Sequence, residues 1–170
     1  MPNIEGGMEV PDEYLREIGR VGVCFSSLEF LLHSALVLAL LGGVDTDGRA
    51  NAIVAEMGFD QKLNALESLL RLADKTPIKA KHPFRATRTL LEQSRDKRNV
   101  VAHHMWTGYN GVVHKSDVQL RKGTLKLVLD RVSLEELAEM AIFISKARTA
   151  LQKFCMSRFF PVSDAPQEGK

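Results

Sequence analysis

Cysteine is scarce in this chain. Its two cysteines, Cys24 and Cys155, are far apart and each lies within an apolar helical pattern. Two such thiols cannot build a disulfide framework, and they read as buried free thiols of a reducing compartment. Glycine forms no run of the kind that cradles a phosphate or a dinucleotide, and no serine lies in a nucleophile elbow. The most apolar stretch, LEFLLHSALVLALL at 28–41, has 14 residues and carries Glu29 and His33. It is too short and too polar to cross a bilayer and reads as a core helix. The N-terminal MPNIEGGMEVPDEY is acidic and lacks the charged-then-apolar layout of a signal peptide. These absences predict a cytoplasmic protein with no membrane partner. Internal repeats and low-complexity segments are also missing.

Two metal-like patterns fail on inspection. Residues 45–48, DTDG, open like a calcium loop, and Glu56 falls at its twelfth position. The sixth position, where a sharp turn needs glycine, is however Ala50, and the fifth is Arg49. A helix-capping loop fits better. His103, His104 and His114 are close in sequence, but adjacent helical side chains diverge by about 100° and no cysteine is near enough to complete a zinc site. Neither a metal nor a cofactor is expected.

What is present is an ordinary globular composition, 45% apolar and 26% charged over 170 residues, enough for one domain with its own core. The net charge of +2 hides a lopsided distribution. Residues 1–60 hold three basic and ten acidic side chains, net −7, whereas residues 79–104 hold seven basic and two acidic, net +5. A local cationic field of this kind attracts phosphate-bearing partners.

Periodicity predicts a mainly α fold of about five helices. The first runs from Pro11–Asp12 to about Leu41, closed by Gly42-Gly43 as a left-handed cap. Gly19 and Gly22 within it imply either close approach of a neighbouring helix or a local break. A second helix spans about 47–57 and ends at Gly58. Asp60 caps a third, whose apolar stripe is Leu63, Leu66, Leu69, Leu70 and Ala73. After the loop TPIKAKHP at 76–83, a fourth runs from about Phe84 to about Trp106. TGYNG, 107–111, signals a turn, and the alternation in VQLRKGTLKLVL reads as a small β-hairpin of about residues 112–132. The last helix begins at a capping box, Ser133 with Glu136. Its core face includes Leu137, Ala141, Ile144 and Leu151. Residues 1–10 read as a flexible tail, 11–160 as a single domain, and 161–170 as a disordered tail.

The fourth helix ends in RDKRNVVAHH, residues 95–104, a polar knot that packing alone does not require. On a continuous helix Asp96, Asn99 and His103 share one face, so Asp96 or Asn99 can orient the His103 imidazole. Arg98 lies five residues before His103, about 140° around the axis. The two meet only if the arginine swings toward a cleft at the helix end, or if a symmetric dimer supplies a second copy. A guanidinium that binds phosphate oxygens and an imidazole that moves a proton suit phosphodiester chemistry. Surface salt bridges, with the arginine pairing Asp96 or Glu92, would account for the same charges. Glu29 and His33 form a further i, i+4 polar pair on the most apolar helix. It reads as a satisfied core pair or as the lining of a cleft.

Arg98-Asn99-Val100-Val101-Ala102-His103 resembles the signature of the HEPN (higher eukaryotes and prokaryotes nucleotide-binding) superfamily: an arginine, often followed by a polar residue, then a histidine after four to six positions. The resemblance covers roughly residues 12–158. It implies a HEPN-like helical bundle, commonly a homodimer with both motifs facing one cleft, and in many members a metal-independent endoribonuclease of toxin–antitoxin, phage-defence or RNA-processing systems. By that resemblance Arg98 would hold the scissile phosphate and His103 would act as acid or base on the ribose 2′-hydroxyl. Asn99 would help orient them, and His104 could replace His103, with Asp96, Arg95, Glu29 and His33 as support. RNA or nucleotide, a second copy and an antitoxin protein are the implied partners. Other members are non-catalytic binding modules. The tyrosine that some nucleases carry two residues after the histidine is here Met105, and the hairpin is not part of the minimal helical core.

Overall fold

A computed structural model describes residues 9–42, 48–75, 82–109, 112–121 and 124–161. Among them are five helices, α1 (Asp12–Leu41), α2 (Arg49–Ala55), α3 (Phe59–Ala73), α4 (Phe84–His103) and α5 (Leu134–Phe159). Three strands, β1 (Met105–Tyr109), β2 (Val112–Arg121) and β3 (Thr124–Arg131), separate α4 from α5. The chain is thus mainly helical with a small antiparallel sheet. Most of the expected loop at 76–83, the DTD of residues 45–47 and most of both expected tails lie outside the described residues. The chain divides into two compact units, residues 1–26 with 92–146 and residues 27–91 with 147–170.

The first unit holds the sheet. Its strand order is β1-β2-β3, with Met105 opposite Ser116 and Leu129 opposite Ser116 on the other side. The hairpin stands where the alternation put it, but it has a third strand, because α4 stops at His103 rather than near Trp106. The stop has a local cause. His104 Nδ1 donates to the Val100 carbonyl at 2.9 Å, and Trp106 Nε1 donates to the Val101 carbonyl at 3.0 Å. Side chains thereby satisfy two carbonyls that another helical turn would have paired with backbone N–H groups. The chain then leaves as β1, and the expected turn at 107–109 is strand. Backbone of Glu9 crosses so close to Gly108 that a Cβ there would overlap the Glu9 carbonyl. Val21, Phe25, Val113, Val132, Leu137, Ala141 and Ile144 are buried in this unit. The Ser133 box forms as read: Ser133 Oγ accepts from the Glu136 N–H at 3.1 Å, and Glu136 Oε2 accepts from the Ser133 N–H at 2.7 Å. These bonds hold the Glu136 carboxyl below its usual pKa.

The second unit buries Leu28, Leu32, Leu36, Leu63, Leu66, Leu70, Phe84, Leu91 and Leu151. Leu31, within the apolar stretch 28–41 read as a core helix, is half-buried. Phe84 meets Phe154 ring to ring at 5.0 Å. Two helix ends differ from expectation. Gly58 is the N-cap of α3, its N–H donating to Gln61 Oε1 at 2.8 Å, so Asp60 lies within the first turn instead of capping it. Gly42 does adopt the left-handed geometry at the end of α1, with φ 64°. Cys155 is buried as a free thiol, and burial pushes its pKa up to about 11, which makes it a poor nucleophile.

Along its full length α1 runs unbroken through Gly19 and Gly22, and no described atom lies within 4 Å of a Cβ built on either. Neither reading of these glycines therefore holds. Its 30 residues also correct the view taken from residues 28–41 alone: by length and composition α1 is long and apolar enough to cross a membrane. The polar groups of its apolar half have protein partners. Glu29 Oε1 accepts from the buried Lys62 Nζ at 3.2 Å, and His33 Nε2 donates to Asn51 Oδ1 at 2.9 Å.

The end of α3 and the start of α4 share a polar clamp. His82 Nδ1 accepts from the Phe84 N–H at 3.1 Å, so the ring hydrogen is on Nε2, which donates to Asp74 Oδ2 at 2.9 Å. Arg158 Nη2 reaches the other Asp74 oxygen at 2.5 Å. Burial alone would raise the Asp74 pKa, but the hydrogen bonds from His82 and Arg158 and the arginine charge outweigh it and leave it lowered. A depressed carboxylate pKa adds stability above its unfolded value, and that stability is lost as pH falls through the folded value. Asp74→Asn should therefore lower the thermal midpoint at pH 7. The gap to wild type should close on acidification below about pH 4. Parallel melts across that range check this, and a gap independent of pH would refute it.

Candidate functional site

The motif belongs to the first unit, on the last turns of α4. Its charged groups divide into those that are committed and those that are not. Arg95 is half-buried and places both Nε and Nη2 on Asp96 Oδ1, at 3.0 and 2.7 Å. Asp96 is thereby held by its neighbour and is not hydrogen-bonded to His103. Asn99 is half-buried and gives His103 no hydrogen bond either. The orienting contact expected on that face is not made within one chain.

Arg98 is arranged differently. Its guanidinium carbon stands 4.7 Å from the centroid of the Phe25 ring, which is 3% exposed in the unit's core. A guanidinium stacked on an aromatic face keeps its N–H donors around its edge. Arg98 does not pair with Asp96. Beside it, Lys97 Nζ stands 4.9 Å over the Phe143 ring of α5. Two consecutive cations of α4 are thus held by two phenylalanines from other helices. Neither Phe25 nor Phe143 was a candidate from sequence, and no sequence signal could have found them. Each is an ordinary apolar residue until the distant helices meet.

The adjacent histidines have distinct surroundings. His104 is half-buried and spends Nδ1 on the Val100 carbonyl. His103, the last residue of α4, is exposed. His114, on β2, is half-buried, with Thr107 and Arg131 as register partners. Among the described residues no group of three His, Cys, Asp or Glu side chains is placed to hold a metal ion. Glu29 and His33 belong to the second unit and bind Lys62 and Asn51 rather than each other.

Comparison of the chain with family models, with curated proteins and with solved structures finds no match. The chemistry must be argued from the residues.

The Arg98–Phe25 stack is directly measurable. In a double-mutant cycle with Arg98→Met and Phe25→Leu, the two should couple by about 0.5–1 kcal/mol, the range of a partly exposed cation–π contact. Denaturant melts of the four proteins check it, and strictly additive losses would dismiss the stack.

Proposed function

We propose that this protein is a metal-independent endoribonuclease of HEPN type, a cytoplasmic homodimer whose motifs share one cleft. The observation that carries the reading is the contrast within the motif. Arg98 is pinned by its flat face on Phe25, with its N–H edge turned to no carboxylate of the motif, while Arg95 neutralises Asp96. A fixed guanidinium without an ion pair among the described residues is what a phosphodiester needs for bidentate capture. His103 is exposed at the same helix end and, among the described residues, its ring makes no hydrogen bond, whereas His104 is spent on a carbonyl. His103 is therefore the proton carrier in this reading. In the reaction His103 takes the proton of the ribose 2′-hydroxyl, and the 2′-oxygen attacks phosphorus. The P–O5′ bond breaks, and the leaving 5′-oxygen receives its proton from the His103 of the second copy. The products are a 2′,3′-cyclic phosphate and a 5′-hydroxyl. Arg98 holds the non-bridging oxygens throughout. A toxin, phage-defence or RNA-processing setting and a cognate antitoxin protein accord with this chemistry.

One observation favours a second reading. Among the described residues no carboxylate is hydrogen-bonded to His103, Asp96 being held by Arg95. A non-catalytic HEPN-like dimer that binds nucleotide, nucleic acid or a protein partner would need none.

Cleavage separates the two. The purified protein should cut single-stranded or looped RNA in EDTA, leaving 2′,3′-cyclic ends, and should bind but not cut DNA of the same sequence. His103→Ala should lower the rate by about 10²- to 10⁴-fold with the fold intact. Arg98→Lys, which keeps the charge but loses the planar fork, should also impair it, and His104→Ala should affect stability more than rate. Binding should weaken steeply with salt. RNA binding without cleavage, or a His103→Ala variant that cuts as well as wild type, would leave the binding module as the account.

A further inference from the structure

The sheet of the first unit ends in an unusual edge. Strand order β1-β2-β3 gives β3 a single strand neighbour, and seven of its eight residues are exposed, Val128 alone being half-buried. Leu125, Leu127 and Leu129 alternate along it at 71, 56 and 55% exposure. Soluble proteins normally blunt such an edge with charged side chains, proline, a bulge, a short strand or a cover, since its free backbone groups template further pairing. Here the strand is eight residues long, holds no proline, has no further strand beside it among the described residues, and carries three leucines on one face; its charges at Lys126 and Asp130 are of opposite sign and so do not repel a second copy.

We infer that β3 is an interface for a second copy of this chain, two β3 strands pairing antiparallel about a two-fold axis at Val128. Charge picks both the occupant and the register. Lys126 and Asp130 flank Val128 symmetrically on the face opposite the leucines, so a two-fold there sets each Lys126 against Asp130 of the second copy. The same register sets each Leu127 against Leu129 of the second copy and Leu125 against the aliphatic stem of Arg131. A two-fold one residue earlier leaves Lys126 facing a valine, and one residue later leaves Asp130 facing a valine. Only the Val128 register satisfies charge and leucine pairs together. Asp130 also has Lys115 of its own β2 at 3.8 Å, so in the pair it lies between two ammonium groups. The two three-stranded sheets become one of six, and the exposed leucine row becomes a shared surface. A heterologous strand lacking this alternation of lysine and aspartate would not match the edge.

This interface is distinct from the motif-to-motif contact of the nuclease reading, so the two together would build an assembly larger than a dimer; its test reads β3 alone. In the full chain, Val128→Cys places one thiol opposite itself across the axis, within reach of a disulfide. Under mild oxidation at micromolar concentration the variant should form a covalent dimer on a non-reducing gel, where wild type, with Cys24 and Cys155, does not. Adding Lys126→Asp should cut the yield by about tenfold or more, because like charges then face each other twice. Adding Asp130→Lys as well should restore it, since the reversed pair is again complementary. Leu127→Cys with Leu129→Cys, directly opposed in the same register, gives a second readout if Val128→Cys folds poorly by circular dichroism. Absence of cross-linking in both cysteine variants, or a yield indifferent to Lys126→Asp, would overturn the inference.

Discussion

Two carbonyls decide the architecture of the first unit. Once the Val100 and Val101 oxygens accept from the His104 ring and the Trp106 indole, two of the carbonyls that another turn of α4 would use are already engaged by side chains. From that stop follow the exposure of His103, the departure of the chain as β1, and the anchoring of the hairpin by a strand on its inner side. The close crossing of Glu9 over Gly108 follows as well, since only a glycine in β1 admits the backbone there. Had the helix run on to Trp106, the motif histidine would lie within a helical surface and the sheet would be a bare two-stranded hairpin. Such hairpins are marginal by themselves.

The cations of the motif show how position outweighs charge. An exposed ion pair contributes roughly 0–1 kcal/mol, and a cation over an aromatic face about 0.5–2 kcal/mol depending on its desolvation. Arg95 takes the first kind of contact with Asp96, while Arg98 and Lys97 take the second with Phe25 and Phe143. The energies are similar, but the chemical consequences differ. A carboxylate cancels the charge that a phosphate would seek, whereas a ring supports the guanidinium from below and leaves its charge in place.

In the second unit, several charged groups at buried or half-buried positions are matched in pairs and triples, although Arg148 Nε is buried with no hydrogen-bond partner among the described residues. Lys62 is 6% exposed yet meets Glu29, and Glu67 binds both Arg71 and Arg88. Burial would raise the Glu67 pKa, but the two arginines outweigh it and hold the carboxyl below its usual value. Leaving any one partner alone would strand a poorly solvated charge, which is costlier than the net gain of the intact pair. These contacts explain why a chain with charged residues on apolar helices still buries a continuous leucine core.

The helices were legible because their signals are local. The 3.6-residue stripes of α3 and α5, the Ser133–Glu136 box and the left-handed Gly42 each depend on residues within a turn or two, so sequence alone placed them. The alternation of residues 112–131 likewise foretold β2 and β3. The cap of α3 was misread because Gly58 has no side chain to announce itself; the bond comes from Gln61 reaching back. The end of α4 was misread because an indole and an imidazole, not a glycine or proline, stop it. In the motif, sequence named the residues and their order around the helix but could not say which were free. That was decided by Phe25, on α1, whose approach to Arg98 joins positions far apart in the chain and carries no local pattern. Local spacing determines which groups a helix offers. Only tertiary packing determines which of them are already spent.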